Sequence, residues 1–166
     1  MAWSAMNELT AGDLVTEADM DAIRGNIEYL LTPNSEVIKR DNSGNYTTSS
    51  TSWVDVDATN LKITLTTNGG HVLVTFTAAV LNDTTIQDVY LDLDVDATRF
   101  STADNGLAVA VDSVALEQTL AFAVLVEGLA AGSHDFKIVW KVQANNGSML
   151  SNETASLMPM FCAVEV

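Results

Sequence analysis

Leu120 to Val126 reads Leu-Ala-Phe-Ala-Val-Leu-Val, seven residues without one polar side chain. Its length suits a strand, and successive strand side chains point to opposite faces, so both faces of this segment are apolar. Phe136 to Trp140 is similar, with Phe136, Ile138 and Trp140 on one face and Val139 on the other. A two-sheet sandwich buries only one face of each sheet, so the second face needs cover from elsewhere. For a chain of 166 residues a second or third copy is a natural cover. Leu125 and Val139, with Ala123, are therefore candidate contacts between subunits.

Strand-like text dominates everything after residue 52. The alternation predicts strands over Trp53–Asp57, Leu61–Thr66, His71–Val80, Val89–Asp96, Ala108–Val111, Leu116–Val126, His134–Ala144 and Met158–Val166. "TNGGHV" and "LAAGSH" read as tight connections, which makes Gly128 to Gly132 the turn of a hairpin. Strands without intervening helical periods exclude a parallel α/β sheet. The expected class is mainly β, an antiparallel jelly-roll sandwich with a short N-terminal α-helical segment.

That segment differs in kind from the rest. Met20, Ile23, Ile27 and Leu30 recur at helical spacing, Thr16 is a good N-cap with Asp19 as its capping-box partner, and Val15 with Met20 occupy staple positions. Thr32 and Pro33 end the pattern. A helix of about four turns is marginal alone in water, so its stripe must dock on its own domain, on a neighbouring copy or on a larger assembly. The resulting division is an N-terminal arm and helix over 1–33 for attachment or oligomer contact, a polar linker over 34–52 with a short strand near Val37–Lys39, and a β domain over 53–166.

Charge narrows the partners. The chain carries 22 Asp and Glu against 7 Lys and Arg, a net charge of −15, and its cations are scattered. A nucleic-acid partner would need a basic stripe, so none is expected. Neither a signal peptide nor an apolar stretch of about 18 residues is present, so the expectation is a chain made and folded in a cytosol without a membrane partner. The single cysteine, Cys162, allows no intrachain disulfide and reads as a small buried hydrophobe.

Candidate chemistry is thin. Ser133, His134 and Asp135 are the residue types of a hydrolytic triad, but adjacent strand residues point to opposite faces, whereas a catalytic base must touch both nucleophile and orienting acid. No G-x-S-x-G elbow accompanies them, and His71 is the only other histidine. Asp92, Asp94 and Asp96 alternate with Leu91, Leu93 and Val95, which places three carboxylates on one strand face about 6 to 7 Å apart, too wide for one ion. They read as a solvated face, with calcium as the alternative if Asp55, Asp57 or a facing loop completes a site. His71, His134 and Cys162 supply no close zinc pair. Trp3, Trp53 and Trp140 read as core or interface rather than a sugar platform. A glycan hydrolase needs two carboxylates about 5 to 9.5 Å apart in a cleft, and stays a minority alternative. The expectation is no enzyme, no catalytic or metal residue and no cofactor.

The N-terminal text resembles the opening segment of many tailed-phage structural proteins, in which a tryptophan, a G-D-x-V-T turn and an A-x-x-x-x-I-R-x-N-I-x-Y-L helix begin the chain. Trp3, Gly12, Asp13, Val15, Thr16, Ala18, Ile23, Arg24, Asn26, Ile27, Tyr29 and Leu30 carry the match, and Gly25 departs from it, where an acidic residue is usual. "HVLVTFTA", "LAFAVLVEGLAAGSHDFKIVWKV" and a final "FCAVEV" are similar to the jelly-roll heads of phage fibre and decoration proteins, and more distantly to the tumour-necrosis-factor and complement-head fold. The resemblance implies a non-enzymatic homotrimer located in the virion: a capsid decoration (cement) protein that binds itself and the major capsid protein or another virion protein. The alternative is a head or tail fibre, or a receptor-binding tip, recognising a host surface glycan or protein. Met20, Ile23, Ile27, Leu30, Leu125 and Val139 are the expected oligomer or attachment residues.

Overall fold

The computed structural model describes residues 14–31, 33–40, 44–82, 87–111, 117–151 and 158–166, with the side chains of 29–31 excepted. Trp3, Gly12 and Asp13 lie outside the described residues, as do the side chains of Tyr29 and Leu30. The elements are α1 (Glu17–Leu31), β1 (Ser35–Lys39), β2 (Tyr46–Thr48), β3 (Val54–Asp55), β4 (Lys62–Asn82), β5 (Val89–Val95), β6 (Thr98–Arg99), β7 (Ala108–Ala110), β8 (Gln118–Val142), β9 (Gly147–Met149) and β10 (Met160–Glu165).

The helix starts as its sequence predicts. Thr16 Oγ1 accepts the Asp19 amide at 3.2 Å, and an Asp19 carboxylate oxygen accepts the Thr16 amide at 2.9 Å. This reciprocal capping box satisfies two donors that the first turn would otherwise leave open.

All strands join one antiparallel network in the order β1-β10-β4-β8-β5-β6, with β2, β3, β7 and β9 pairing at its flanks. Two strands of 21 and 25 residues, β4 and β8, form its spine. They pair from Lys62 opposite Lys137 to Val80 opposite Gln118, with a register shift between Gly70 and Val72. The expected hairpin at Gly128–Gly132 is therefore absent, and the chain runs through it as strand. Gly69 (φ 94°) and Gly70 (φ 137°) lie across the ladder from this stretch, where Gly128 (φ 70°) and Gly132 (φ 146°) also take positive φ. Such glycines serve a tight turn or a strand that bends from one layer into the next, and here they mark the corner.

Beyond the corner, each half of the spine joins a different set of strands. β4 from Val72 to Thr77 pairs with β10, which pairs with β1. Residues 136–142 of β8 pair with β5. Every second residue of both halves turns inward: Val72, Val74 and Phe76 from one side, and Phe136, Ile138 and Trp140 with Leu91 and Leu93 from the other, in one core. Phe161 closes on Phe76 edge-to-face at 6.1 Å between centroids, a favoured aromatic geometry. The fold is an antiparallel jelly roll, as the strand pattern implies. The stretch 34–52 is not a linker, because β1 and β2 within it pair with β10 and β9. Near the C-terminus, buried Glu165 accepts from the Asn34 amide side chain at 2.6 Å and from the Asn68 backbone at 2.6 Å, which ties β1, the corner and the C-terminus together.

Candidate functional site

The outer faces of the two layers differ sharply in chemistry. On the β4–β8–β5 layer, Asp135, Lys137 and Lys141 of β8 and Asp92 and Asp94 of β5 carry charge. Lys137 donates to Asp55 at 3.0 and 3.1 Å and lies 3.7 Å from Asp94. Lys62 pairs with Asp135 at 2.7 Å. Arg99 donates to Asp92 at 2.7 Å and to the Ala103 carbonyl at 2.7 Å.

Asp92 and Asp94 are thus not a solvated face. Asp92 is wholly buried, and its carboxylate also accepts the amides of Leu93 (2.8 Å) and Ser101 (3.3 Å). Burial pushes its pKa above the usual carboxylate range, against the opposing pull of these donors and of Arg99. The cover comes from remote text. Trp53 has Arg99 at 4.9 Å and Lys141 at 5.0 Å from its ring, and Lys141 also lies 5.1 Å from the Tyr90 ring, both within cation–π range. Gly106, at φ 67°, passes so close that a Cβ there would sit 2.5 Å from the Leu91 carbonyl and 2.7 Å from Trp53. Asp96 belongs to the turn beyond β5, at φ 51°. Among the described residues, no group of three or more His, Cys, Asp or Glu side chains is placed to hold a metal ion.

Ser133, His134 and Asp135 do not converge. His134 places Nδ1 2.6 Å from an Asp96 oxygen and Nε2 2.9 Å from the Ala130 carbonyl. Asp135 accepts from Thr64 at 2.6 Å and pairs with Lys62. With an acceptor at each ring nitrogen the imidazolium is the form that satisfies both, and the Asp96 hydrogen bond is the main cause that raises the His134 pKa. His134 and Asp135 thus fasten separate contacts, and Ser133 is exposed.

The other outer face belongs to β1, β10, β4 and β8, and it is mainly apolar, with Ser35, Lys39, Thr75 and Thr77 among its outward positions. Register sets Val37, Cys162, Thr75 and Ala123 in one row, and Leu73 between Val164 and Leu125 in the next. Val37 is 55% exposed, Met160 43%, Leu125 42% and Leu73 38%. A cleft of about 300 Å³ opens at one end between Lys39, Thr77, Thr119 and Met158.

Of the residues singled out by sequence, Leu125 lies on this open face. Val139 does not: it is only 5% exposed on the charged face, level with Asp55 and Asp92 in register, so the chain itself covers it. On the helix, Met20 and Ile27 are half exposed and Ile23 is half-buried, whereas Asp19 and Asn26 are the buried positions among its described side chains. No strand packs extensively along the helix among the described residues. Leu73, Val37 and Met160 are not singled out by sequence. The signal exists for Leu73, since Leu73 and Leu125 both fall on the strand parity opposite the core positions.

No described helix is long and apolar enough to cross a membrane. No protein-family model matches the sequence, and no curated protein matches it. Similar strand arrangements occur among solved structures. Eiger TNF from S. frugiperda is similar over 81% of this chain and 94% of its own, at 12% identity and a TM-score of 0.49. Murine APRIL is similar over 81% of this chain and 100% of its own, at 10% identity and a TM-score of 0.47. A chain of infectious bursal disease virus, Gx strain, is similar over 80% of this chain and 36% of its own, at 13% identity and a TM-score of 0.38.

Proposed function

We propose that the chain is a non-enzymatic structural protein of a tailed-phage particle, a homotrimer that decorates the capsid by binding the major capsid protein or another virion protein through its N-terminal segment. The observation that carries this reading is the helix stripe. Met20 and Ile27 stay half exposed beside Ile23 on a well-capped helix, only three residues before the edge strand β1. A helix of this length needs its apolar side covered to be stable, and a short connection keeps whatever covers it close to the β domain. The ion-paired face supports the same reading, because its charged groups are engaged with one another.

Electron microscopy of intact particles tests the proposal. A regular lattice of jelly-roll density over the shell is the expected result. Density confined to the tail would replace decoration by the fibre or receptor-binding role, and absence of the protein from particles would overturn both.

A further inference from the structure

We propose that the hollow beside β2 and β9 is a binding site for a neutral saccharide, with Thr47, Ser49, Ser148 and Asn146 as its hydrogen-bonding groups. The site stands apart from the charged and apolar faces, and only its outward placement rests on the reading of α1 as the attachment segment.

Six consecutive hydroxyl residues, Thr47 to Ser52, build this part of the chain, and they divide by parity. Thr48 Oγ1 accepts the Ser50 amide at 3.1 Å, Ser50 Oγ donates to the Ser52 carbonyl at 2.7 Å, and the Ser50 carbonyl accepts the Val142 amide at 2.9 Å. These bonds fold the segment onto β8. Thr47 and Ser49, of the other parity, are exposed, and register sets Thr47 opposite Ser148. The neighbouring pair, Tyr46 and Met149, packs on the core, so Thr47 and Ser148 point away from it. Among the described residues the hydroxyls of Thr47, Ser49 and Ser148 make no hydrogen bond. They fasten nothing in the fold, yet with Thr48 and Asn146 they gather around one hollow of about 340 Å³.

The lining selects the ligand. None of its five residues ionises, in a chain with 22 Asp and Glu and 7 Lys and Arg. A divalent cation would need carboxylates, a phosphate or sulfate would need cationic donors, and an apolar group gains little against hydroxyl walls. A hydroxyl both donates and accepts, and the asparagine amide offers both roles as well. A sugar ring answers both roles at several adjacent points without charge. The volume lies near the lower end of small-molecule sites, about 300 to 1,000 Å³, which suits one or two rings. No aromatic side chain lines the hollow, so affinity comes from hydrogen bonds alone and a single site binds at about millimolar strength.

Position in the fold gives this weak site a use. The chain leaves α1 and enters β1 where Ser35 faces Val164, which in turn faces Leu73 of β4. The hollow lies at the other end of β4, where Ser148 faces Leu81. Eight residues of strand, roughly 26 Å, separate the two points along β4. A subunit held through α1 thus carries the hollow at the end away from its anchor, and many copies on one particle turn weak single contacts into avid ones.

Saturation-transfer NMR on the full chain tests the site, with neutral disaccharides of glucose, galactose and N-acetylglucosamine as probes at millimolar concentration. At least one is expected to show transfer, and to shift backbone amides gathered at residues 47–49 and 146–148. Thr47→Val/Ser148→Ala removes two hydroxyls that hold nothing in the fold, so it should keep the wild-type circular dichroism spectrum and lose roughly tenfold or more in affinity. The proposal is overturned if none of the disaccharides binds, if the shifts gather elsewhere, or if the folded variant binds as wild type does. Equal shifts at these amides from calcium chloride or sodium sulfate alone would also overturn it. Should the variant misfold, the wild-type shift map still decides. The virion reading fails separately: sugar binding by a chain that never appears on particles supports this site and defeats that reading, whereas a particle-bound chain that binds no sugar does the reverse.

Discussion

Arg99 holds Asp92 at 2.7 Å across the β5–β6 turn, with Asp92 wholly buried and a quarter of the Arg99 side chain still open to water. The two partners therefore have unequal fates when separated. Without Arg99 a carboxylate stays buried with only two backbone donors, whereas without the carboxylate the guanidinium can turn to solvent.

The first prediction follows from that asymmetry. Arg99→Ala should destabilise the fold by about 3 kcal/mol, and Asp92→Asn by about 1 kcal/mol or less, in urea denaturation at neutral pH. Burial already raises the Asp92 pKa, so its ionised form is the one that costs stability. For a group raised on folding, stability is greatest below the unfolded pKa near 4 and declines as pH rises through the folded value. Mild acid should thus recover part of the loss in Arg99→Ala. Equal destabilisation by the two variants would show that Asp92 is better solvated than its burial indicates.

His134 and Asp96 give the second prediction. The His134 pKa is raised by Asp96 and the Ala130 carbonyl. Burial opposes, but the His134 and Asp135 hydrogen bonds outweigh it and lower the Asp96 pKa. The histidine contribution is complete below its unfolded pKa of about 6.5 and is lost as pH rises through the folded value. The aspartate contribution is present above its unfolded pKa of about 4 and is lost as pH falls through the folded value. Their tie should be strongest between those two limits. Thermal melts from pH 5 to 9 should show Tm falling on the alkaline side in the wild type, with a flatter profile in His134→Gln. Parallel profiles would place the pH dependence elsewhere.

Glycine supplies the third. Gly106→Ala puts a Cβ 2.5 Å from the Leu91 carbonyl at φ 67°, whereas a Cβ added to Gly128, at φ 70°, would meet nothing within 4 Å. Gly128→Ala should cost about 1 kcal/mol, the backbone penalty alone, and Gly106→Ala about 3 kcal/mol or more, since Trp53 and the loop over Asp92 must also shift. Chemical denaturation separates the two; comparable losses would mean that the loop yields easily.

These sites show what local text can and cannot reveal. The capping box at Thr16 and Asp19 is legible because both partners lie within one turn of chain. The inward parity of Phe136, Ile138 and Trp140 is legible because the strand period is two. "TNGG" and "EGLAAG" carry a real backbone demand, but the same positive φ serves a hairpin or a corner, and only the pairing of β4 with β8 distinguishes them. Asp92 reads as exposed and Val139 as a subunit contact because what covers that face comes from elsewhere in the chain, including Trp53 some 40 residues before Asp92 and the segment that follows β6. Leu125 has no such cover among the described residues, so the doubly apolar strand points outward where the sequence implies it.

The helix provides the last prediction. Met20 and Ile27 are half exposed in the single chain, and no strand packs extensively along α1 among the described residues. Met20→Ser/Ile27→Ser should therefore leave the unfolding of the β domain within about 0.5 kcal/mol of wild type, as for surface positions. The same pair forms the apolar side that a partner would bury, at roughly 1.5 to 3 kcal/mol for each fully covered side chain. Particles lacking the protein should rebind the wild type and lose the double variant at the same concentration. If the serine variant binds as well as wild type, the helix is not the attachment element. If it unfolds with the β domain, the stripe is buried on its own chain.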